Sequence, residues 1–189
     1  AIFEDFQAKS ELFKKLSEIV PEETILATNT SSFSVTELSA SVKNPERFIG
    51  LHYFYHAAKN RLVEIIPGEK TSEETKKSAY RFSILSGKDP IYTTDAYGFA
   101  VNRFFVPWLN EAVKLLSEGL GTVQLIDSIC IKTFGIGMGP FSLMNVTGIP
   151  IALHAQKTLE FFGPSYKVSD LLVKQVGKKE DWKIGYVNP

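Results

Sequence analysis

Along the first half of the chain, the spacing of apolar positions switches repeatedly between a helical and a strand period. From Asp5 to Val20, the residues Leu12, Phe13, Leu16, Ile19 and Val20 recur at helical spacing, with Lys9, Glu11, Lys14, Lys15 and Glu18 between them. That pattern predicts a surface helix with one buried stripe. Thr24 to Thr28 reads as a short strand, and Ser34 followed three residues later by Glu37 has capping-box spacing, opening a short helix over 35–42. The β-branched and aromatic runs Arg47 to Phe54 and Arg61 to Ile66 read as buried strands. Thr71-Ser72-Glu73-Glu74 repeats the capping box ahead of a helix to about Leu85, and Pro90 to Thr94 is a last short strand.

After Asp95 only the helical period remains. Phe99 to Glu118 is one long apolar pattern interrupted by Pro107, which predicts a kink there. Thr122 to Phe134, Phe141 to Phe162 and Ser169 to Val176 follow as helices. Gly135-Ile136-Gly137, Gly139-Pro140 and Gly163-Pro164 separate them as breakers. The predicted fold class is therefore α/β followed by all-α, with an α/β domain over 1–96 and a helical domain over 97–189.

Composition narrows the partners. The 189 residues are 44% hydrophobic and 22% charged, enough for one good core or two modest ones. Twenty-one basic and 21 acidic residues cancel, so nothing in the charge favours nucleic acid or an anionic membrane. No apolar run approaches the roughly 18 residues of a membrane span. The single cysteine, Cys130 between Ile129 and Ile131, excludes an internal disulfide and reads as a buried hydrophobe. It also rules out a multi-cysteine metal site, and no metal is expected; the usage suits a reducing compartment, and we expect a cytoplasmic protein. Ala1-Ile2-Phe3 is apolar and lacks an initiator methionine, and reads as the tail of a cut strand.

His52 ends the apolar run Phe48-Ile49-Gly50-Leu51-His52, and strand ends are where α/β sheets place ligands. Glu64 interrupts the apolar run Leu62-Val63-Glu64-Ile65-Ile66, where an unpaired carboxylate would be costly. If the two strands are neighbours, Glu64 can take the N–H of His52, fix its tautomer and stabilise its protonated form, which is a general acid/base device. A purely structural His-Glu bridge would have the same spacing. Asn29-Thr30-Ser31-Ser32 supplies amide and hydroxyl groups at another strand end, although an ordinary loop has that composition too. Asn102, in the apolar run Val101-Asn102-Arg103-Phe104, calls for burial and a partner. His56 reads as an exposed loop residue, and His154 as a surface or core residue of a helix.

Five segments in order carry a resemblance: Ala27-Thr28-Asn29-Thr30-Ser31-Ser32, Arg47 through Phe54, Leu62 through Ile66, Gly98 through Arg103, and Gly137-Met138-Gly139-Pro140-Phe141. Together the chain resembles the L-3-hydroxyacyl-CoA dehydrogenases, of the short-chain 3-hydroxybutyryl-CoA type, from Ala1 to about Tyr166. The resemblance implies a Rossmann-type domain joined to a helical domain that completes the acyl-CoA site and forms a homodimer. It implies that His52 takes the 3-hydroxyl proton while hydride passes to NAD, with Glu64 as its partner. Ser31 and Asn102 would then hydrogen-bond the substrate oxygen, and Glu4, Lys9 and Asn29 would contact the cofactor, Glu4 and Lys9 at the nicotinamide ribose.

The departures are specific. Tyr55-His56 stands where the family has Asn-Pro or Ser-Pro, Asn145 where it has Asp, and Gly148-Ile149-Pro150 where it has Gly-Leu-Asp. The family also opens with a Gly-x-Gly-x-x-Gly turn that holds the pyrophosphate, whereas the first glycine here is Gly50. The expectation is a fragment of such an enzyme, inactive alone, that binds NAD weakly or not at all and leaves a parallel-sheet edge uncovered. A non-catalytic assembly or acyl-CoA-binding module that keeps the fold is the alternative. A β-hydroxyacid dehydrogenase acting without CoA is a third reading, but those enzymes rely on a lysine base.

Overall fold

The structure is a computed structural model that describes Ile2 and Glu4–Gly185. The cut strand read at the start of the chain involves Ala1 and Phe3, which lie outside the described residues. The chain folds as two compact units, residues 1–100 and 101–189.

The first unit is built on strands β1 (Leu26–Thr28), β2 (Phe48–Tyr53), β3 (Leu62–Pro67) and β4 (Asp89–Tyr92), in that order across the sheet. β1 pairs with β2 and β3 with β4 in parallel, but β2 and β3 are antiparallel. The sheet is thus mixed, where a parallel one was expected. Helices cover both faces of β2 and β3, which explains why the two strands read as continuous apolar runs. Phe48 and Ile66 face Val35 and Leu38 of helix α2 (Val35–Ser39) and Phe13 of helix α1 (Phe6–Ile19). Ile49, Leu51 and Ile65 face Ala79 of helix α3 (Glu73–Leu85). Each fully buried phenylalanine, leucine, isoleucine or valine among these contributes about 1.5–3 kcal/mol through the water it sheds. Gly50 lies between Phe48 and His52 on the α2 side, and a Cβ there would come within 2.8 Å of Val35 Cγ2 and 2.9 Å of Ile66 Cβ.

Several element boundaries differ from the sequence reading. The buried stripe of α1 runs through Lys9 and Phe13, while Ile19 is 77% exposed. α2 ends at Ser39, because Ala40, Ser41 and Val42 bond back three residues and close the helix in tighter turns. Ser72, not Thr71, caps α3 by accepting from Thr75 N–H; the Thr71 hydroxyl instead donates to the Phe48 carbonyl and accepts from Gly68 N–H.

The second unit comprises α4 (Val101–Ser117), α5 (Val123–Phe134), α6 (Pro140–Thr147), α7 (Ile149–Leu159) and α8 (Asp170–Lys178). α4 starts at Val101, two residues later than expected, since Gly98 (φ +76°) and Phe99 (φ +47°) are left-handed. The single helix expected over 141–162 is broken at Gly148, whose φ of +103° cannot continue a helix, and the next one opens at Ile149 with Pro150 in its first turn. The core gathers Val113, Phe141, Met144, Leu172 and Trp182, with Cys130 buried beside them.

Two polar clasps hold this core. The buried Asp127 carboxylate accepts from Phe141 N–H at 2.8 Å, Ser142 N–H at 3.0 Å and the Ser142 hydroxyl at 2.6 Å, capping α6. Gly139 is required there, since a Cβ would lie 2.4 Å from Asp127 Cγ. Asn145 donates to the Trp182 carbonyl at 2.9 Å and accepts from Trp182 N–H at 2.8 Å. Among the described residues no helix is long and apolar enough to cross a membrane.

Candidate active site

His52 lies next to the end of β2, directly across the antiparallel ladder from Glu64 of β3. Directly opposed residues point to the same face, here the face that Phe48 and Ile66 bury. His52 Nδ1 lies 2.7 Å from Glu64 Oε2, with the histidine 6% exposed and the glutamate fully buried. With Glu64 ionised and the imidazole neutral, the proton of this bond belongs to Nδ1 and Nε2 keeps the lone pair. The other carboxylate oxygen, Oε1, accepts from Ala100 N–H at 3.0 Å. Aromatic rings flank the imidazole, Phe54 at 4.6 Å and Phe99 at 5.6 Å between centroids. The arrangement is a dry, oriented imidazole with one nitrogen free for proton transfer.

β1 and β2 are parallel, so the Asn29–Ser32 segment leaves the sheet at the end where His52 sits. Glu4 organises that segment. Its Oε1 accepts from the Thr30 hydroxyl, from Ser31 N–H at 3.0 Å and from Ser32 N–H at 3.2 Å. Its Oε2 lies 3.1 Å from Lys9 Nζ, whose side chain is nearly enclosed. Glu4, Lys9 and Ser31 are therefore one network, and Lys9 is not a solvated charge on a helix face. The Ser31 side chain is half-buried at its edge. Asn29 Oδ1 accepts from Tyr53 N–H at 2.9 Å, tying the end of β1 to the residue after His52.

Asn102 occupies the first turn of α4 in the second unit. It is half-buried, not buried as the sequence suggested, and its amide has no hydrogen bond among the described residues. The next residue, Arg103, lays its guanidinium 3.4 Å from the Phe162 ring centroid and donates to the Tyr166 hydroxyl at 3.2 Å. His56 is exposed in the turn after β2, and His154 is exposed on α7. Cys130 is enclosed, and burial pushes its thiol pKa up. No group of three or more His, Cys, Asp or Glu residues that could hold a metal ion occurs among the described residues.

Sequence reasoning missed Asp95. Its carboxylate accepts from the Ser34 hydroxyl at 2.8 Å, Val35 N–H at 2.8 Å and Thr36 N–H at 2.7 Å. It thereby ties the start of α2 to the segment that carries Phe99 and Ala100. A lone aspartate between strand and helix gives no periodic signal.

The sequence profile of the 3-hydroxyacyl-CoA dehydrogenase NAD binding domain matches residues 1–96, and that of the family's C-terminal domain matches residues 98–181. The chain belongs to the 3-hydroxyacyl-CoA dehydrogenase family. It is 37% identical over 193 aligned positions to a 3-hydroxybutyryl-CoA dehydrogenase of Clostridioides difficile, covering 98% of this chain and 68% of that protein. It is 41% identical over 149 positions to the mitochondrial hydroxyacyl-coenzyme A dehydrogenase of Sus scrofa, covering 79% and 48% respectively. The crystal structure of (S)-3-hydroxybutyryl-CoA dehydrogenase from Ralstonia eutropha superposes with a TM-score of 0.89 at 34% identity, over 95% of this chain and 64% of that one. The chain spans about two thirds of the length of these bacterial relatives, and 23% of the fatty acid oxidation complex subunit alpha of Shewanella amazonensis.

Proposed function

We propose that the protein serves NAD-dependent oxidation of an L-3-hydroxyacyl-CoA to the 3-ketoacyl-CoA, with His52 as the acid/base. The observation that carries this reading is the buried His52–Glu64 pair, whose imidazole keeps Nε2 free near the end of β2. Nicotinamide, when bound, supplies the acceptor for the hydride that leaves C3 of the substrate. His52 Nε2 takes the proton of the 3-hydroxyl group as the C–O bond gains double-bond character. Glu64 stabilises the imidazolium that results, and being wholly enclosed it acts with little screening by water. Ser31 and Asn102 hydrogen-bond the substrate oxygen while charge develops on it. Glu4, Lys9 and Asn29 are the residues assigned to the nicotinamide side, and they fit it to different degrees. The Glu4–Lys9 pair is already charge-balanced, so it offers a ribose hydroxyl two fixed hydrogen-bonding groups without leaving an uncompensated charge. Asn29 has one lone pair of its carbonyl oxygen engaged by Tyr53 N–H and keeps its amide N–H groups to donate. The same reading includes a homodimer through the helical unit and a cytoplasmic setting.

The test is a double-mutant cycle on the full-length enzyme. His52→Gln should lower kcat by about 100-fold to 10,000-fold, the range for a lost general acid/base. Glu64→Gln should cost little further activity once His52 is gone, because the two act as one unit. An unchanged kcat in His52→Gln would overturn the assignment.

A further inference from the structure

Phe99 holds a backbone conformation that bulky residues rarely adopt. Its φ is +47°, immediately after Gly98 at +76°. Outside glycine, and asparagine or aspartate with their local hydrogen bonds, left-handed residues are uncommon. They persist where surrounding structure over-determines them, most often at functional sites. A second glycine would meet the same backbone demand without strain, so the phenylalanine ring must supply what holds the residue there.

Two observations say what the ring does. Phe99 is 5% exposed, packed in the core that holds Phe13 and Phe48, with its ring 5.6 Å from the His52 imidazole. The same excursion delivers the next amide, Ala100 N–H, to Glu64 Oε1 at 3.0 Å. One strained residue therefore lies against one partner of the pair while its neighbour's amide holds the other.

We propose that Phe99 is a positioning residue for the His52–Glu64 pair, its ring excluding water from the Nδ1–Oε2 bond and its left-handed backbone aiming Ala100 N–H at the carboxylate. Water at that bond would compete for both groups and weaken their attraction. The imidazole could then turn, and Nε2 would no longer be presented in one orientation. The proposal deepens the acid/base reading and rests on it only for the effect on catalysis.

Proton NMR of the 189-residue chain tests the shielding without any turnover. The Nδ1–H resonance of His52, identified by its loss in His52→Gln, should exchange slowly with water. Phe99→Leu should speed that exchange and Phe99→Ala should abolish the signal. Phe13→Leu, which perturbs the same core away from the imidazole, should leave exchange as in the wild type. If Phe99→Ala does not fold, Phe99→Leu decides alone. The proposal is overturned if the wild-type chain has no protected resonance, if the Phe99 variants exchange at the wild-type rate, or if Phe13→Leu matches Phe99→Leu. In the full-length enzyme, Phe99→Leu should lower kcat with KM nearly unchanged. Faster exchange with an unchanged kcat would remove His52 from the acid/base role while supporting the shielding.

Discussion

Gly50 shows how little room surrounds His52, the proposed acid/base residue. It is two positions from His52 on the same face of β2, and Val35 and Ile66 close over it at distances no Cβ could share. Gly50→Ala should destabilise the chain by about 1–3 kcal/mol, the usual cost of overpacking a filled core. Urea denaturation would show the midpoint falling with an unchanged slope; a midpoint within error of the wild type would mean that the α2 face yields easily. The same crowding accounts for the polar residues that are tolerated here. Glu64 is acceptable because donors meet it, His52 and Ala100 N–H among them, and Lys9 because Glu4 does.

At the scale of elements, helix starts are where this chain invests its side-chain hydrogen bonds. Asp127 illustrates it: one buried carboxylate receives three donors at the start of α6. Asp127→Ala should cost about 2–3 kcal/mol, from a lost cap and buried amides left without a partner, and thermal unfolding would measure it. A loss below about 0.5 kcal/mol, the lower limit for a lost cap, would show that water replaces the carboxylate. The cap at Ser34 was legible in advance because a short polar residue just ahead of an apolar periodic run is a local signal. His52 and Glu64 were legible for the opposite reason, as polar residues inside apolar strands. Their direct opposition was not, because a separation of 12 residues suits a hairpin as well as a crossover. Asp95, the burial of Lys9 and the left-handed turn at Phe99 depend on partners far along the chain, which periodicity does not report. The break at Gly148 was signalled by the nearby Pro150, but the apolar pattern running through it favoured one long helix.

At the scale of the molecule, the helical unit leaves large apolar side chains in the open. Phe104 on α4, and Leu125, Ile129 and Phe134 on α5, are all exposed. Such surface is unusual for a monomer where it is contiguous, so sedimentation equilibrium should give a dimer mass at micromolar concentration. A monomer throughout that range would contradict the expected self-association. Both tryptophans, Trp108 and Trp182, also belong to the helical unit, as does the only cysteine. In a fluorometer set to excite tryptophan and not tyrosine, then, half of this molecule is lit and half is dark. Tryptophan emission during denaturation will follow the second unit alone, whereas far-ultraviolet circular dichroism sums both. The two curves will coincide if the chain melts as one body and separate if it melts in two steps, so the wild-type protein already carries the label needed to tell the cases apart.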